Sequence, residues 1–171
     1  MAAFAVIEHQ ELDAAAGTIT FAAIPSSYDH LYLKGSLRTD HSAYLAYCSM
    51  QYNDSASNYS WTTLRADTST LNSYRSTTSY AFISGGTSIL ADTFSTLEVW
   101  IPNYANTANF KQILSTSALE NDSTTNAQWH VSVVAQLWSD TSAISEIDLA
   151  NFDGGDFVEY TNLTLYGVTG A

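Results

Sequence analysis

The ten residues Asp29-His30-Leu31-Tyr32-Leu33-Lys34-Gly35-Ser36-Leu37-Arg38 decide the fold class. Leu31, Leu33, Gly35 and Leu37 fall on one phase, and His30, Tyr32, Lys34, Ser36 and Arg38 fall on the other. A period of two with one apolar phase marks a half-buried antiparallel strand. The alternation returns in Thr96–Ile101, where Leu97, Val99 and Ile101 oppose Thr96, Glu98 and Trp100. It returns in Trp129–Trp138, where Trp129, Val131, Val133, Ala135 and Leu137 form the more apolar phase and His130, Ser132, Val134, Gln136 and Trp138 the other. Leu163, Leu165 and Gly167 oppose Thr164, Tyr166 and Val168 in the same way near the end. β-Branched and aromatic residues dominate all four windows, as a pleated surface favours.

Further strands are expected over about 3–9, 17–24, 43–53, 58–65, 79–84, 109–118, 143–150 and 156–161. Turn chemistry separates them: Pro25-Ser26-Ser27, Asn53-Asp54-Ser55, Gly85-Gly86, Pro102-Asn103, Asn121-Asp122-Ser123 and Asp153-Gly154-Gly155-Asp156. No window carries a capped helical stripe. Ala66–Thr78 is Ser/Thr-rich without an apolar period and reads as a long surface loop. Many short strands at this spacing, with no linker or repeat, predict one all-β sandwich or barrel domain over residues 1–171. Residues 1–14 are read as an extended N-terminal arm, because Met1–Glu8 is apolar and free to pair with a neighbouring sheet edge.

Composition narrows the function. The chain has 171 residues, 17 acidic against five basic, a net charge of −12 and only 13% charged residues. Ser and Thr supply roughly a quarter of it, so hydroxyls build much of the polar surface. Five basic residues, Lys34, Arg38, Arg65, Arg75 and Lys111, argue against nucleic acid or an anionic membrane as partner. Cys48 is alone and cannot form an intrachain disulfide. Met1–Ile7 lacks the basic flank of a secretory leader, and no apolar run approaches the ~18 residues of a membrane span. Folding in a reducing cytoplasm is the expectation.

No catalytic pattern emerges. His9, His30, His41 and His130 form no metal-ligand spacing, and His30 and His130 lie on the polar phase, which predicts surface histidines. No serine lies in a nucleophile elbow, and Cys48 sits in a strand as a buried, inert thiol. Asp153 and Asp156 could offer oxygens to calcium but lack the spacing of a calcium loop, and a tight turn explains them. No cofactor is therefore expected. Tyr32, Trp100, Trp138 and Tyr166 fall on the phase that a one-sided sheet turns to water, suiting either subunit packing or sugar stacking.

The segment Phe21-Ala22-Ala23-Ile24-Pro25-Ser26-Ser27-Tyr28-Asp29-His30-Leu31-Tyr32-Leu33-Lys34-Gly35-Ser36-Leu37-Arg38 resembles one found in virion proteins of tailed bacteriophages. Leu97-Glu98-Val99-Trp100-Ile101-Pro102-Asn103-Tyr104, then Lys111, the strand Trp129–Trp138, Ile144–Leu149, Phe157 and Leu165-Tyr166-Gly167-Val168 follow in the same order. The likeness spans residues 15–170; it departs at Tyr28-Asp29-His30 and at 66–78, which has no counterpart. It implies a jelly-roll-like antiparallel β-sandwich, and a non-enzymatic decoration or cement protein on the outer capsid surface. The major capsid protein would be the partner and a homotrimer the expected assembly. A tail-fibre or baseplate domain that recognises carbohydrate is the alternative.

The motif residues have physical roles beside the resemblance. Pro25 fixes the exit of a strand, and Tyr28 is expected to cap the corner by a hydrogen bond to backbone. Gly35 marks a bulge or a close backbone approach. His30, Arg38, Trp100, Tyr104, Trp138 and Tyr166 complete the candidate fold-specifying or interface residues.

Overall fold

Alternating segments can bury their apolar phase only against a second layer, and that is how the chain folds. The computed structural model describes residues 4–67, 70–122 and 129–170. Among the described residues there are twelve strands and no helix. They are β1 (Phe4–Glu11), β2 (Thr18–Phe21), β3 (His30–Leu37), β4 (Leu45–Tyr52), β5 (Tyr59–Asp67) and β6 (Thr70–Ser76), then β7 (Tyr80–Gly85), β8 (Ser95–Pro102), β9 (Lys111–Leu119), β10 (His130–Trp138), β11 (Ile147–Asn151) and β12 (Asn162–Val168).

An eight-stranded sheet in the order β1-β12-β3-β8-β9-β10-β5-β6 packs on a four-stranded sheet in the order β2-β11-β4-β7, and every pairing is antiparallel. Setting aside β5, β6, β9 and β10, the remaining strands in chain order form sheets 1-8-3-6 and 2-7-4-5. That order is a jelly roll. The hairpins β5–β6 and β9–β10 are insertions that widen one sheet past β8.

The main core lies between the sheets. Leu31, Leu33 and Leu37 of β3 meet Phe21, Met50, Phe82, Ile147 and Leu149 of the smaller sheet, all buried in one cluster. Each such side chain contributes roughly 1.5–3 kcal/mol on leaving water. Gly35 interrupts the leucine phase because β12 runs too close for a side chain. A Cβ there would lie 2.1 Å from the Asn162 carbonyl oxygen and 2.7 Å from Leu163 Cδ2. The β3 register is unbroken on both sides, so the glycine marks a close approach and not a bulge.

The inserted strands do not extend flat. Tyr47 and Ile83 pair on the face of the smaller sheet opposite to Cys48 and Phe82, which point into the main core. A second cluster joins Leu45, Tyr80 and Ile83 to Leu119 and Val134 of β9 and β10, with Tyr47 and Trp61 against it. The widened sheet therefore wraps the edge strand β7 and covers part of its far side, and all six β7 residues are buried.

Burying a sheet edge strands its outward backbone groups. Here side chains of the large sheet satisfy them. Ser115 donates to the Ala81 carbonyl, the Ile83 amide donates to Ser117 Oγ at 3.2 Å, and the Gly85 amide donates to Ser95 Oγ at 2.9 Å. Gln136 Nε2 donates to the Ser79 carbonyl at 2.9 Å, and its Oε1 accepts from the Tyr52 hydroxyl at 2.9 Å.

This arrangement corrects the expected phase of Trp129–Trp138. His130, Ser132, Val134, Gln136 and Trp138 are the buried residues, while Val131 and Val133 face solvent. His130 is consequently no surface histidine. The interior wants hydroxyls and an amide at this edge, so polarity misreports direction. The described part of Ala66–Thr78 is likewise not a loop: β5 runs to Asp67 and pairs residue by residue with β6 from Thr70, while residues 68–69 lie outside the described residues. Residues 156–161 form no strand; Phe157 there makes only isolated bridges to Ala16 and Thr39. Residues 4–11 are not a free arm. They pair along β12 from Phe4–Val168 to Glu11–Asn162, with one irregularity between Val6 and Glu8.

Candidate functional site

The wide sheet presents one face to the core and the other outward, and the outward face gathers several of the exposed large apolar side chains, Val6, Leu64, Leu71, Leu114, Val131 and Val133. Register places Val6, Tyr166, Tyr32, Trp100, Leu114, Ala135 and Thr62 in one row across seven strands. The next row runs Lys34, Glu98, Thr116, Val133 and Leu64. A third holds Ser36, Thr96, Ala118, Val131, Ala66 and Leu71. Leu64, Leu71, Leu114, Val131 and Val133 are exposed; the charged residues in the same rows are Lys34 and Glu98 at the centre, Arg75 beside Thr62 at the β6 edge and Glu11 beside Asn162 at the β1 edge.

The aromatic end of this face is packed against itself. Phe4 meets Tyr32 at 5.9 Å and Tyr166 at 6.3 Å edge-on, and Tyr32 lies 6.1 Å from Tyr166. Burial pushes the Tyr32 hydroxyl up to about 12, helped by its hydrogen bond to Glu98 and the charge there. The phenol thus stays neutral across the ordinary pH range. Trp100 is half-buried beside His30, with ring centroids 5.1 Å apart, and His30 Nδ1 accepts from the Asn103 amide at 3.1 Å.

Other residues singled out from the sequence are internal. Trp138 is buried, stacked on Tyr59 at 6.5 Å and near Tyr52 at 5.5 Å, which removes it from any sugar platform. The corner after Pro25 is capped by Tyr104, whose hydroxyl donates to the Pro25 carbonyl, and not by Tyr28. The Tyr28 ring instead lies over Gly167, where a Cβ would come within 2.3 Å of it. Arg38 Nη1 donates to the Leu90 and Thr93 carbonyls at 2.8 and 3.2 Å and pins that loop. The buried Lys111 is closed off by the carbonyls of Asn106, Asn109 and Thr141 at 2.7, 2.9 and 3.2 Å. Cys48 is buried, and that burial raises its thiol well above the ordinary range.

The Asp153–Asp156 segment is a turn in which Gly154 and Gly155 take positive φ of 86° and 94°. Asp153 accepts from the Tyr47 amide at 2.9 Å, while the Asp156 amide donates to Asp40 at 2.7 Å. Among the described residues, the carboxylates close enough to share an ion are a different set, Asp54, Glu146 and Asp148, with oxygens within 4.8 Å of one another. Burial, then the charges of Asp54 and Asp148, raise the Glu146 carboxyl.

Comparison with known proteins found no matching family model, no matching curated protein and no matching solved structure. The resemblance to phage virion proteins therefore rests on the quoted residues alone. Sequence reasoning placed Tyr32, Trp100 and Tyr166 on the outward phase but put Val131 and Val133 inside. The signal that could have corrected it is Lys111 and Gln112–Leu114 in β9. The alternation there sets Ser115 and Ser117 in phase with Ile113, so serines already share the buried side.

Proposed function

We propose that this protein is a non-enzymatic structural protein of a tailed-phage virion, a decoration or cement protein that docks on the major capsid lattice. The single observation that supports this reading is the outward face of the eight-stranded sheet, where Leu64, Leu114, Val131 and Val133 lie side by side with little charge. A contiguous exposed apolar patch of this kind marks an interaction surface. Its aromatic flank adds Tyr and Trp, the residue types enriched where interfaces bury area. The jelly roll itself is a scaffold shared by capsid and lectin domains, so it supports the class by analogy alone.

Docking would proceed by dehydration. Apolar and hydroxyl-bearing side chains are less costly to strip of water than ions, and the face is poor in ions. Net charge of −12 would then sit away from the contact and keep decorated particles apart. Assembly as a homotrimer on the capsid exterior belongs to this reading, and residues of more than one copy would meet at each contact.

The test is co-sedimentation with capsids stripped of this protein. Wild-type chain should pellet with the particles, and Val133→Asp with Leu64→Asp should stay in the supernatant while keeping its melting temperature. Equal pelleting of the double variant would move the contact off this face. The alternative, a tail-located recognition domain, would leave stripped capsids uncoated.

A further inference from the structure

On the other side of the inserted strands from the docking face, β5 and β6 overhang the far side of the smaller sheet. They enclose a cleft of about 340 Å³ between Trp61, Arg65, Tyr74, Tyr47 and Tyr80, with Phe152 and Asp153 at its mouth. Small-ligand sites span about 300–1,000 Å³, so this one is of the size of a mono- or disaccharide.

The walls are fixed. Trp61 Nε1 donates to Thr78 Oγ1 at 2.9 Å, and its ring meets Tyr80 edge-on at 4.6 Å. Arg65 is held between two rings, 5.4 Å from the centre of Tyr47 and 5.3 Å from that of Tyr74, and its Nη1 donates to the Tyr47 hydroxyl at 2.5 Å. Asp153 is oriented by the Tyr47 amide at 2.9 Å. Phe152 stands 58% exposed at the entrance.

One polar atom lacks what a folded interior normally supplies. Tyr80 is only 5% exposed, and its hydroxyl lies near Thr63 without a hydrogen bond of good geometry. Shielded hydroxyls are nearly always bonded, so such a group inside a cleft points to a missing partner. An apolar ligand would leave it unmet and would dehydrate Arg65 and Asp153 without return. A strongly charged ligand would meet one group of its own sign, since the cleft carries one cation and one anion. A neutral polyhydroxylated ring suits all of it. Its C–H face packs on aromatic surface while its hydroxyls reach the carboxylate, the guanidinium and the phenol.

We propose that this cleft binds a neutral saccharide of one or two rings. The site is independent of the outward face, so capsid docking and saccharide binding stand or fall separately. The test is a glycan array of bacterial and animal surface saccharides probed with the full chain. Hits are then titrated in solution by tryptophan fluorescence up to roughly 20 mM, beyond which affinity falls under about 2–3 kcal/mol. At least one neutral saccharide should bind, and Phe152→Ala and Tyr80→Phe should each weaken it about tenfold or more. Both variants should keep the wild-type melting profile, and Trp100→Ala on the opposite face should leave binding unchanged. No binding to any saccharide, or equal binding by both cleft variants, would overturn the proposal.

Discussion

The backbone amide of Ile83 donates to the side-chain hydroxyl of Ser117 at 3.2 Å, joining the edge strand of the small sheet to the inner face of the large one. Ser115 and Gln136 make the same kind of contact with the carbonyls of Ala81 and Ser79. The interior of this jelly roll is therefore closed at one side by side chains and not by another strand.

Removing one of these partners should leave a buried backbone group unmet, a loss of about 1–3 kcal/mol each. Ser117→Ala is expected to lower stability by that amount and Gln136→Leu by more, because Gln136 also accepts from Tyr52. Urea denaturation with unchanged m-values checks it; wild-type stability for both variants would contradict the edge-capping role.

Gly35→Ala should be among the most damaging single-methyl changes. The new Cβ would meet backbone of Asn162 at 2.1 Å, which a rotamer change cannot relieve. β3 and β12 would have to separate, at about 1–3 kcal/mol or more. A fall in thermal midpoint measured by circular dichroism is the expected readout, and Gly154→Ala, where a Cβ meets nothing within 4 Å but φ is 86°, should be milder.

Alkaline pH should unfold the protein in a defined window. Burial raises Tyr59 from the ordinary phenol value of about 10 to about 12, and burial pushes Tyr52 and Tyr80 upward too. A raised folded value means the native state keeps its proton while the unfolded chain has lost it. Stability is thus complete below about pH 10 and declines as pH rises toward the folded values. Near-ultraviolet absorbance should show these phenols ionising together with loss of β-sheet circular dichroism. Their ionisation at pH 10 in a folded chain would contradict their burial.

How far the residues announced all this varies by region. β3, β8 and β12 were legible because Leu31, Leu33, Val99 and Leu165 bury one phase against an apolar layer, which is what alternation reports. β10 was not, because its inward side chains serve the β7 edge; Ser132 and Gln136 look outward to any reader of polarity alone. β6 escaped for a related reason. Five of its seven side chains are exposed and none is buried, so no apolar phase betrays a strand that exists by pairing with β5. The outward face was half visible: Tyr32, Trp100 and Tyr166 follow from β3, β8 and β12, whereas Leu64, Val131 and Val133 need the inverted phase. The cleft depends on Tyr47, Arg65 and Asp153 meeting from strands and a loop distant in sequence, which spacing does not encode.

In the proposed function, the protein coats a virion through the outward face of its wide sheet. Quantitative mass spectrometry of purified virions, referenced to the major capsid protein, tests it most directly. A coat protein should be present at on the order of hundreds of copies per particle, in fixed ratio to the lattice subunits. Absence from the particle, or only about a dozen copies, would contradict it.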